Sequence, residues 1–170
     1  MAEDVFPDRN MSHREKIEFM LEREGWAMDT VGPSGDADAP IPRYTYTVGF
    51  DRRFGFPELV VFGLSPVACR GLFELVAAAV AGGTDLPVGR AFIGLLEDDQ
   101  PCALLPVDAA EAVGMFPALA EDRVLAGERP DDFTMLQLTW PDPEGRLPWE
   151  EGFSASLAPL QLLLGEPPEG

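Results

Sequence analysis

A stretch in the first half of the chain combines hydroxyl, carboxyl and guanidinium side chains. Thr45 and Thr47 alternate with aromatic residues, and Glu58 opens an apolar run a few residues later. Arg52 and Arg53 lie between the two runs. Because a guanidinium group can hold a carboxylate or a phosphate through two hydrogen bonds, the first interpretation is a site for a small anionic ligand. The alternative is that the threonines face a helix and the arginines pair with surface acids.

A second polar stretch lies nearer the C-terminus, where two tryptophans flank a turn. Trp140 and Trp149 bracket Asp142 in the sequence WPDPEGRLPW, and Asp-Pro-Glu-Gly is typical of a β-turn. Aromatic walls with a few polar groups describe many ligand sites. These three residues are therefore candidates for a pocket wall. The alternative is that the tryptophans hold the end of the chain against the core.

The first stretch depends on two strands that its sequence pattern predicts. Residues 44–50 alternate, which predicts a strand with Phe50 on the same face as the tyrosines and the threonines on the other face. Residues 59–62 are apolar throughout, as in a central strand that is covered on both sides. The connection at 51–56 is expected to be a hairpin loop with the two arginines at its solvated tip.

Helices and further strands are predicted around these two strands. Ser12 and Glu15 form a capping box, which predicts a helix over 12–24. Ser65 and Pro66 are typical of the start of a second helix. The other predicted elements are a strand at 26–31, an exposed loop at 32–40, a hairpin of 92–97 with 102–107, a short helix after Asp108 that breaks near Pro117, a strand at 133–140 and a short helix at 157–164.

The order of these elements favours an α+β fold, because hairpins come in pairs and do not alternate regularly with helices. We expect a β-sheet of about five to seven strands that is largely antiparallel or mixed, packed with two to four helices in a single domain. The domain is expected to span residues 12–164. Residues 1–11 and 165–170 are expected to be a flexible N-terminus and a flexible acidic C-terminus.

The charge balance limits the classes of partner. The 170 residues include 30 acidic and 12 basic side chains, for a formal net charge of -18. A field of that sign repels phosphate backbones and anionic lipids, so neither nucleic-acid nor membrane binding is expected. It would suit a basic protein partner, or it keeps the protein soluble. No apolar run reaches the roughly 18 residues of a membrane span, and no secretory signal is recognisable, so a cytoplasmic location is expected.

Several catalytic chemistries find no support in the residue inventory. The chain has one histidine, His13, and two cysteines, Cys69 and Cys102, which is too few for an ordinary zinc site. Both cysteines lie in apolar runs and are expected to be core residues. Neither of the glycine-rich phosphate-binding motifs, GxxxxGK[ST] and GxGxxG, is present. No catalytic set and no cofactor can therefore be identified from the sequence.

Three motifs, YTVGF, PELVVFGL and LQLTWPDPEGRLPWEEGF, resemble the bacterial family called domain of unknown function 4262. The resemblance covers roughly residues 15–153. It implies that Thr47, Glu58, Gln137 and Asp142 lie on the family pattern. The family has no assigned activity, so the resemblance names no reaction. If these four polar residues meet in one cleft, binding or catalysis is favoured, whereas separate turn-capping roles would argue against it.

The preferred hypothesis is a cytosolic module, either a monomer or a homodimer, that binds a small anionic ligand or a basic protein. One alternative is an enzyme that uses a flavin or a nucleotide on a split-barrel-like sheet. The other is an acidic interaction protein of the immunity type. The candidate ligand-binding residues are Thr45, Thr47, Arg52, Arg53, Glu58, Gln137, Trp140, Asp142 and Trp149.

Overall fold

The chain forms eight strands and five α-helices over residues 12–168, the part that the structure, a computed structural model, describes. The strands are β1 (Ala27–Val31), β2 (Ser34–Asp36), β3 (Ala39–Ile41), β4 (Tyr44–Val48), β5 (Glu58–Phe62), β6 (Ala91–Phe92), β7 (Cys102–Val107) and β8 (Met135–Thr139). The α-helices are α1 (His13–Glu24), α2 (Phe50–Phe54), α3 (Pro66–Ala81), α4 (Ala109–Ala112) and α5 (Pro117–Leu125). Single 3-10 turns lie at Glu97–Asp99, Val113–Met115 and Ala158–Leu160.

Six of the strands form one sheet in the order β1-β4-β5-β8-β7-β6, and β2 and β3 form a separate hairpin. Every neighbouring pair is antiparallel except β5 and β8, which run parallel from the pairing of Glu58 with Met135. The predicted α+β fold with a largely antiparallel sheet is confirmed. The single parallel pair makes the sheet a mixed one.

Helices cover both faces of the sheet, and the central strand β5 is buried on both sides. On one face Val60 belongs to a cluster with Ile17 of α1 and Leu119 of α5. On the other face Val61 belongs to a cluster with Phe73 of α3. The prediction that residues 59–62 form a central strand is therefore confirmed.

The predicted helix starts are also present. The Ser12 hydroxyl accepts a hydrogen bond from the backbone N–H of Glu15 at 3.1 Å, and α1 ends at Gly25, whose φ is 81°. The Ser65 hydroxyl accepts from the N–H of Ala68, so α3 begins as its sequence predicts. Local capping signals thus fix the ends of these helices without help from tertiary packing.

The connection between β4 and β5 differs from the predicted hairpin loop. Gly49 has a φ of 92°, and the chain leaves the strand there and forms α2. The turn carries Phe50 to the opposite face of the sheet from Tyr46, where its ring lies 5.2 Å from the ring of Trp26. The prediction of a strand over 44–50 is therefore wrong for residues 49 and 50, because the left-handed backbone of Gly49 turns Phe50 to the other face of the sheet.

Other boundaries also differ from expectation. Residues 34–41 form an exposed hairpin, not an open loop, and only 91–92 of the predicted strand at 92–97 pairs with β7. Pro117 starts α5, since proline is tolerated in a first helical turn. The predicted helix at 157–164 is reduced to one 3-10 turn. The flexible N-terminus predicted for 1–11 lies outside the described residues, as do residues 169 and 170.

Candidate functional site

Thr47 and Glu58 contact each other where β4 ends and β5 begins. The Thr47 hydroxyl donates to Glu58 Oε1 at 2.7 Å and accepts from the N–H of Leu59 at 2.9 Å. Glu58 Oε1 also accepts from the N–H of Phe50 at 3.0 Å, and Oε2 accepts from the N–H of Asp51 at 3.2 Å. Glu58 therefore holds the start of α2 against the sheet.

A buried arginine from α5 completes this arrangement, which we call the carboxyl cluster: Asp51, Glu58, Asp122, Arg52 and Arg123. Arg123 Nη2 lies 2.7 Å from Asp51 Oδ2 and 3.3 Å from Glu58 Oε2. Arg52 Nη1 donates to Asp122 Oδ2 at 2.9 Å. The cluster thus joins α2, β5 and α5. Arg52 is 44% exposed, but it forms an ion pair between two helices and does not lie at the tip of a hairpin.

Burial and hydrogen bonding act in different proportions on the pKa values of Glu58 and Asp51. Burial raises the pKa of Glu58 to about 8, with a further contribution from the neighbouring Asp51 carboxylate. Burial acts in the same direction on Asp51, but hydrogen bonding to Glu58 and Arg123 outweighs it and holds the Asp51 pKa below its ordinary value. The arrangement favours a neutral Glu58 beside an Asp51–Arg123 ion pair up to about pH 8. Because Thr47 and Glu58 are 0% exposed, a ligand cannot touch either of them in this conformation.

Sequence reasoning missed Asp122 and Arg123, because Pro117 was interpreted as the end of a helix. A signal was nevertheless present. In a helix that starts at Pro117, Asp122 and Arg123 lie three and four positions after Leu119, on the same face as this apolar residue. Charged residues at buried helical positions point to buried partners.

The remaining candidates of the first stretch lie apart from the carboxyl cluster. The buried Thr45 hydroxyl lies 2.9 Å from the Thr30 hydroxyl on β1. Arg53 is exposed, and its guanidinium carbon lies 4.9 Å from the centre of the Phe54 ring. Thr45 therefore makes a cross-strand contact, whereas Arg53 lies at the surface.

Gln137 on β8 binds the C-terminal segment. Its amide nitrogen donates to the carbonyl of Leu162 at 2.6 Å. Its amide oxygen accepts from the N–H groups of Leu164 at 2.7 Å and Gly165 at 3.2 Å. All of these partners are backbone atoms, so the Gln137 side chain holds residues 162–165 against the sheet.

Asp142 organises the turn that follows β8. Its Oδ1 accepts from the N–H groups of Glu144 and Arg146 at 3.0 and 2.9 Å, and its Oδ2 accepts from the N–H of Ser154 at 3.0 Å. Desolvation acts to raise the Asp142 pKa, but these donors hold it below its ordinary value. The carboxylate thus caps a turn with three backbone bonds.

The two tryptophans pack against different parts of the core. Trp140 Nε1 donates to the carbonyl of Phe62 at 2.8 Å, which joins the end of β8 to the end of β5. Trp149 packs against the small cluster around Leu105 and Leu147. Of the four polar residues on the family pattern, Thr47 and Glu58 contact each other. Gln137 and Asp142 bind two different backbone segments, and the structure does not bring the four into one cleft.

An open cavity lies at the free edge of β1, and we call it the edge groove. Its volume is about 330 Å³. Residues of α1 line it on one side of the sheet and Arg70 of α3 lines it on the other, so the groove passes over the edge of the strand. Its lining residues are His13, Lys16, Ile17, Met20, Met28, Asp29, Thr30 and Arg70.

Most charges of the edge groove are paired. His13 Nε2 lies 2.8 Å from Asp29 Oδ1, and Tyr46 donates its hydroxyl hydrogen to Asp29 Oδ2 at 2.5 Å. Arg70 Nη2 lies 2.7 Å from Glu24 Oε2, and the Arg70 guanidinium lies over the Trp26 ring. These contacts fix the walls of the groove.

Lys16 differs from these groups. It is the only lysine of the chain, it lies on the exposed side of α1, and it lines the edge groove. Within residues 12–168 no ion pair or side-chain hydrogen bond engages its ammonium group. An unpaired ammonium beside the apolar side chains of Ile17 and Met20 is suited to a ligand that carries one anionic group and an apolar body.

A larger cavity, of about 720 Å³, lies between α4 and residues 164–168. Asp108, Glu111 and Glu166 line it, and none of its lining residues is basic. This second cavity would therefore repel an anionic ligand, which distinguishes it from the edge groove.

No group of three or more His, Cys, Asp or Glu side chains within 12–168 is placed to hold a metal ion. Cys69 and Cys102 are buried, and burial raises the pKa of the Cys102 thiol to about 12. In the same range no helix combines the length and apolarity needed to cross a membrane.

The fold is thus an open mixed sheet between two helical layers, with the carboxyl cluster at one end and a groove along one edge. Residues 20–154 match the family model described as Domain of unknown function (DUF4262), and the chain belongs to this family. No curated protein and no solved structure matches the chain. The matched segment contains β1 and the carboxyl cluster, whereas His13 and Lys16 precede it.

Proposed function

We propose that the protein is a binding module and that the edge groove is its ligand site, with an organic carboxylate as the ligand class. The observation that carries the proposal is the Lys16 ammonium, which has no partner within residues 12–168 and lines an open cavity together with the apolar side chains of Ile17, Met20 and Met28. The volume of about 330 Å³ matches the lower end of known small-ligand sites.

The charge around the groove favours a carboxylate over a phosphate dianion. Arg70 is already bound to Glu24 and Glu74, and Asp29 lies in the wall. Each added negative charge on the ligand is therefore repelled by these acids as well as by the net charge of -18. A single carboxylate needs only the Lys16 ammonium as its partner.

The other polar candidate residues already have hydrogen-bond partners within the protein, which also favours the edge groove as the ligand site. The side chains of Glu58, Gln137 and Asp142 are hydrogen-bonded to other groups of the protein itself. A ligand would have to displace those partners at a cost of a few kcal/mol for each unsatisfied buried group. Binding at Lys16 breaks no such bond.

The test is a titration of the ¹⁵N-labelled protein with sodium hexanoate, followed by NMR, with hexanamide as the uncharged analogue. Hexanoate should shift the amide signals of α1 and β1 in a saturable way, and hexanamide should bind more weakly. Lys16→Met should weaken hexanoate binding about fivefold, the factor that about 1 kcal/mol of exposed ion pairing supplies.

Arg90→Gln is the matched control, because Arg90 is exposed and adjoins β6 at the opposite edge of the sheet. It should leave the affinity unchanged. The proposal is wrong if hexanoate shifts no signal around the groove, or if Lys16→Met and Arg90→Gln reduce the affinity equally.

A further inference from the structure

We infer that the edge groove receives an extended segment of a partner protein, which adds to β1 as a new outer strand and places an acidic side chain beside Lys16. The inference rests on the proposed function, because it uses the same groove and the same carboxylate contact. It adds that the carboxylate belongs to a peptide and that the main chain of β1 takes part in binding.

The first support is the free edge of β1. Within residues 12–168 this strand pairs only with β4, from Ala27 opposite Val48 to Val31 opposite Tyr44. Among the described residues, no backbone hydrogen bond outside the helices and sheets involves residues 27–31. In an antiparallel pair every second residue of an edge strand directs its N–H and C=O away from its neighbour. β1 therefore offers a row of donors and acceptors to an incoming strand.

The second support is the shape of the groove around that edge. Ile17 and Met20 lie on one side of β1, and Met28 and Arg70 lie toward the other. A bound strand would send alternate side chains toward these two sides, because side chains alternate between the faces of a sheet. The groove thus provides apolar contact on the α1 side and a mixed surface on the α3 side.

The ion pair of Arg70 with Glu24 limits how far the segment extends. It links α3 to the last turn of α1 just before β1 begins, with the guanidinium over Trp26. This bridge closes the groove at the Ala27 end. The accessible edge therefore matches a segment of about the length of β1, which has five residues.

Charge decides against a second copy of this chain as the occupant. Two copies paired through β1 around a two-fold axis would bring two Lys16 residues to one interface. The two copies would also repel each other, because each carries a net charge of -18. A short segment with one or two acids contributes a partner for Lys16 and only a small part of that repulsion.

The experiment compares two labelled peptides in fluorescence polarisation with the full chain. One is the acidic strand-forming peptide TVEVTV, and the other has the same side chains but N-methyl groups on alternate residues, which remove its main-chain donors. The unmodified peptide should bind in a saturable way, and N-methylation should weaken binding at least tenfold. Lys16→Met should weaken it about fivefold, whereas Arg90→Gln should leave it unchanged.

Hydrogen exchange supplies the second measurement. The peptide should slow exchange of β1 amides, and hexanoate should not, because it contacts no main-chain group. If hexanoate binds at Lys16 but neither peptide does, the strand inference is overturned and the proposed function stands. If no probe binds, both are wrong. The strand inference is also overturned if light scattering shows a dimer in which the β1 amides are already protected.

Discussion

At the scale of single residues, Glu58 shows how a carboxyl group can be both completely buried and satisfied. Its two oxygens accept from one hydroxyl and two backbone N–H groups, and Arg123 lies 3.3 Å away. Its raised pKa reflects burial first and the negative Asp51 second. A neutral Glu58 keeps the cluster close to electroneutral, since Asp51 and Arg123 cancel each other.

The raised pKa of Glu58 gives a pH dependence with a definite sign. The unfolded chain releases the Glu58 proton near pH 4.5 and the folded protein retains it to about pH 8. The folded state therefore binds more protons in that window, and the free energy of unfolding falls as pH rises, by at most about 1.4 kcal/mol per pH unit. Glu58→Gln should flatten the profile between pH 5 and pH 8, as measured by urea unfolding at each pH.

Glu121→Gln is the control for this measurement, because Glu121 lies exposed on α5 outside the carboxyl cluster. It should leave the pH profile parallel to that of the original protein. A Glu58→Gln profile that keeps the original slope would show that Glu58 does not titrate in this window.

At the scale of secondary-structure elements, the change from strand to helix at Gly49 positions the whole carboxyl cluster. A Cβ atom at residue 49 would lie 2.9 Å from Leu21 Cδ2 and 3.0 Å from the carbonyl oxygen of Gly25. The φ of 92° adds strain for any other residue. Only glycine fits this position, which explains why β4 ends there.

Gly49→Ala should therefore destabilise the protein by at least about 1–3 kcal/mol, the cost of a strained backbone conformation. The matched variant is Gly71→Ala in α3, where an added Cβ meets nothing within 4 Å. Replacing that helical glycine should stabilise the protein by up to about 1 kcal/mol. Thermal unfolding of both variants measures the difference, and equal effects would contradict this account of Gly49.

The boundaries of the elements at Ser12 and at Gly49 differ in how well they could be predicted from the sequence. The position at which a helix begins depends on side chains within about three residues of it. The start of α1 after Ser12 could therefore be predicted from the sequence. Leu21 and Gly25 leave no room for a Cβ at position 49, and a period-two pattern cannot reveal such a packing restriction. The contact of Glu58 with Arg123 joins residues 65 positions apart in the chain, so a local sequence pattern cannot reveal it either.

At the scale of the whole molecule, the C-terminal segment is part of the fold because Gln137 holds it. Gln137→Leu would leave one carbonyl and two N–H groups of residues 162–165 without partners, at a cost of about 1–3 kcal/mol if they stay buried. We expect the segment to separate from β8 instead. Amides of Leu164 and Gly165 should then exchange faster, while those of β5 change little.

Gln100→Leu is the matched control for this prediction. It makes the same chemical change, and no side-chain hydrogen bond links Gln100 to the rest of the described chain. Its exchange pattern should resemble that of the original protein. If Gln137→Leu leaves exchange at residues 164 and 165 unchanged, Gln137 does not hold the segment.

The parallel pairing of β5 with β8 has a consequence for how the molecule is made. Glu58 lies opposite Met135, so the two central strands come together only after the chain between them has been synthesised. Contacts this distant in sequence form slowly, because a long loop must close before they stabilise anything. In a ribosome-bound chain that ends before residue 135, the strand β5 would have no β8 to pair with, and its edge would stay open beside apolar side chains. Such a nascent chain is where a chaperone would be needed most.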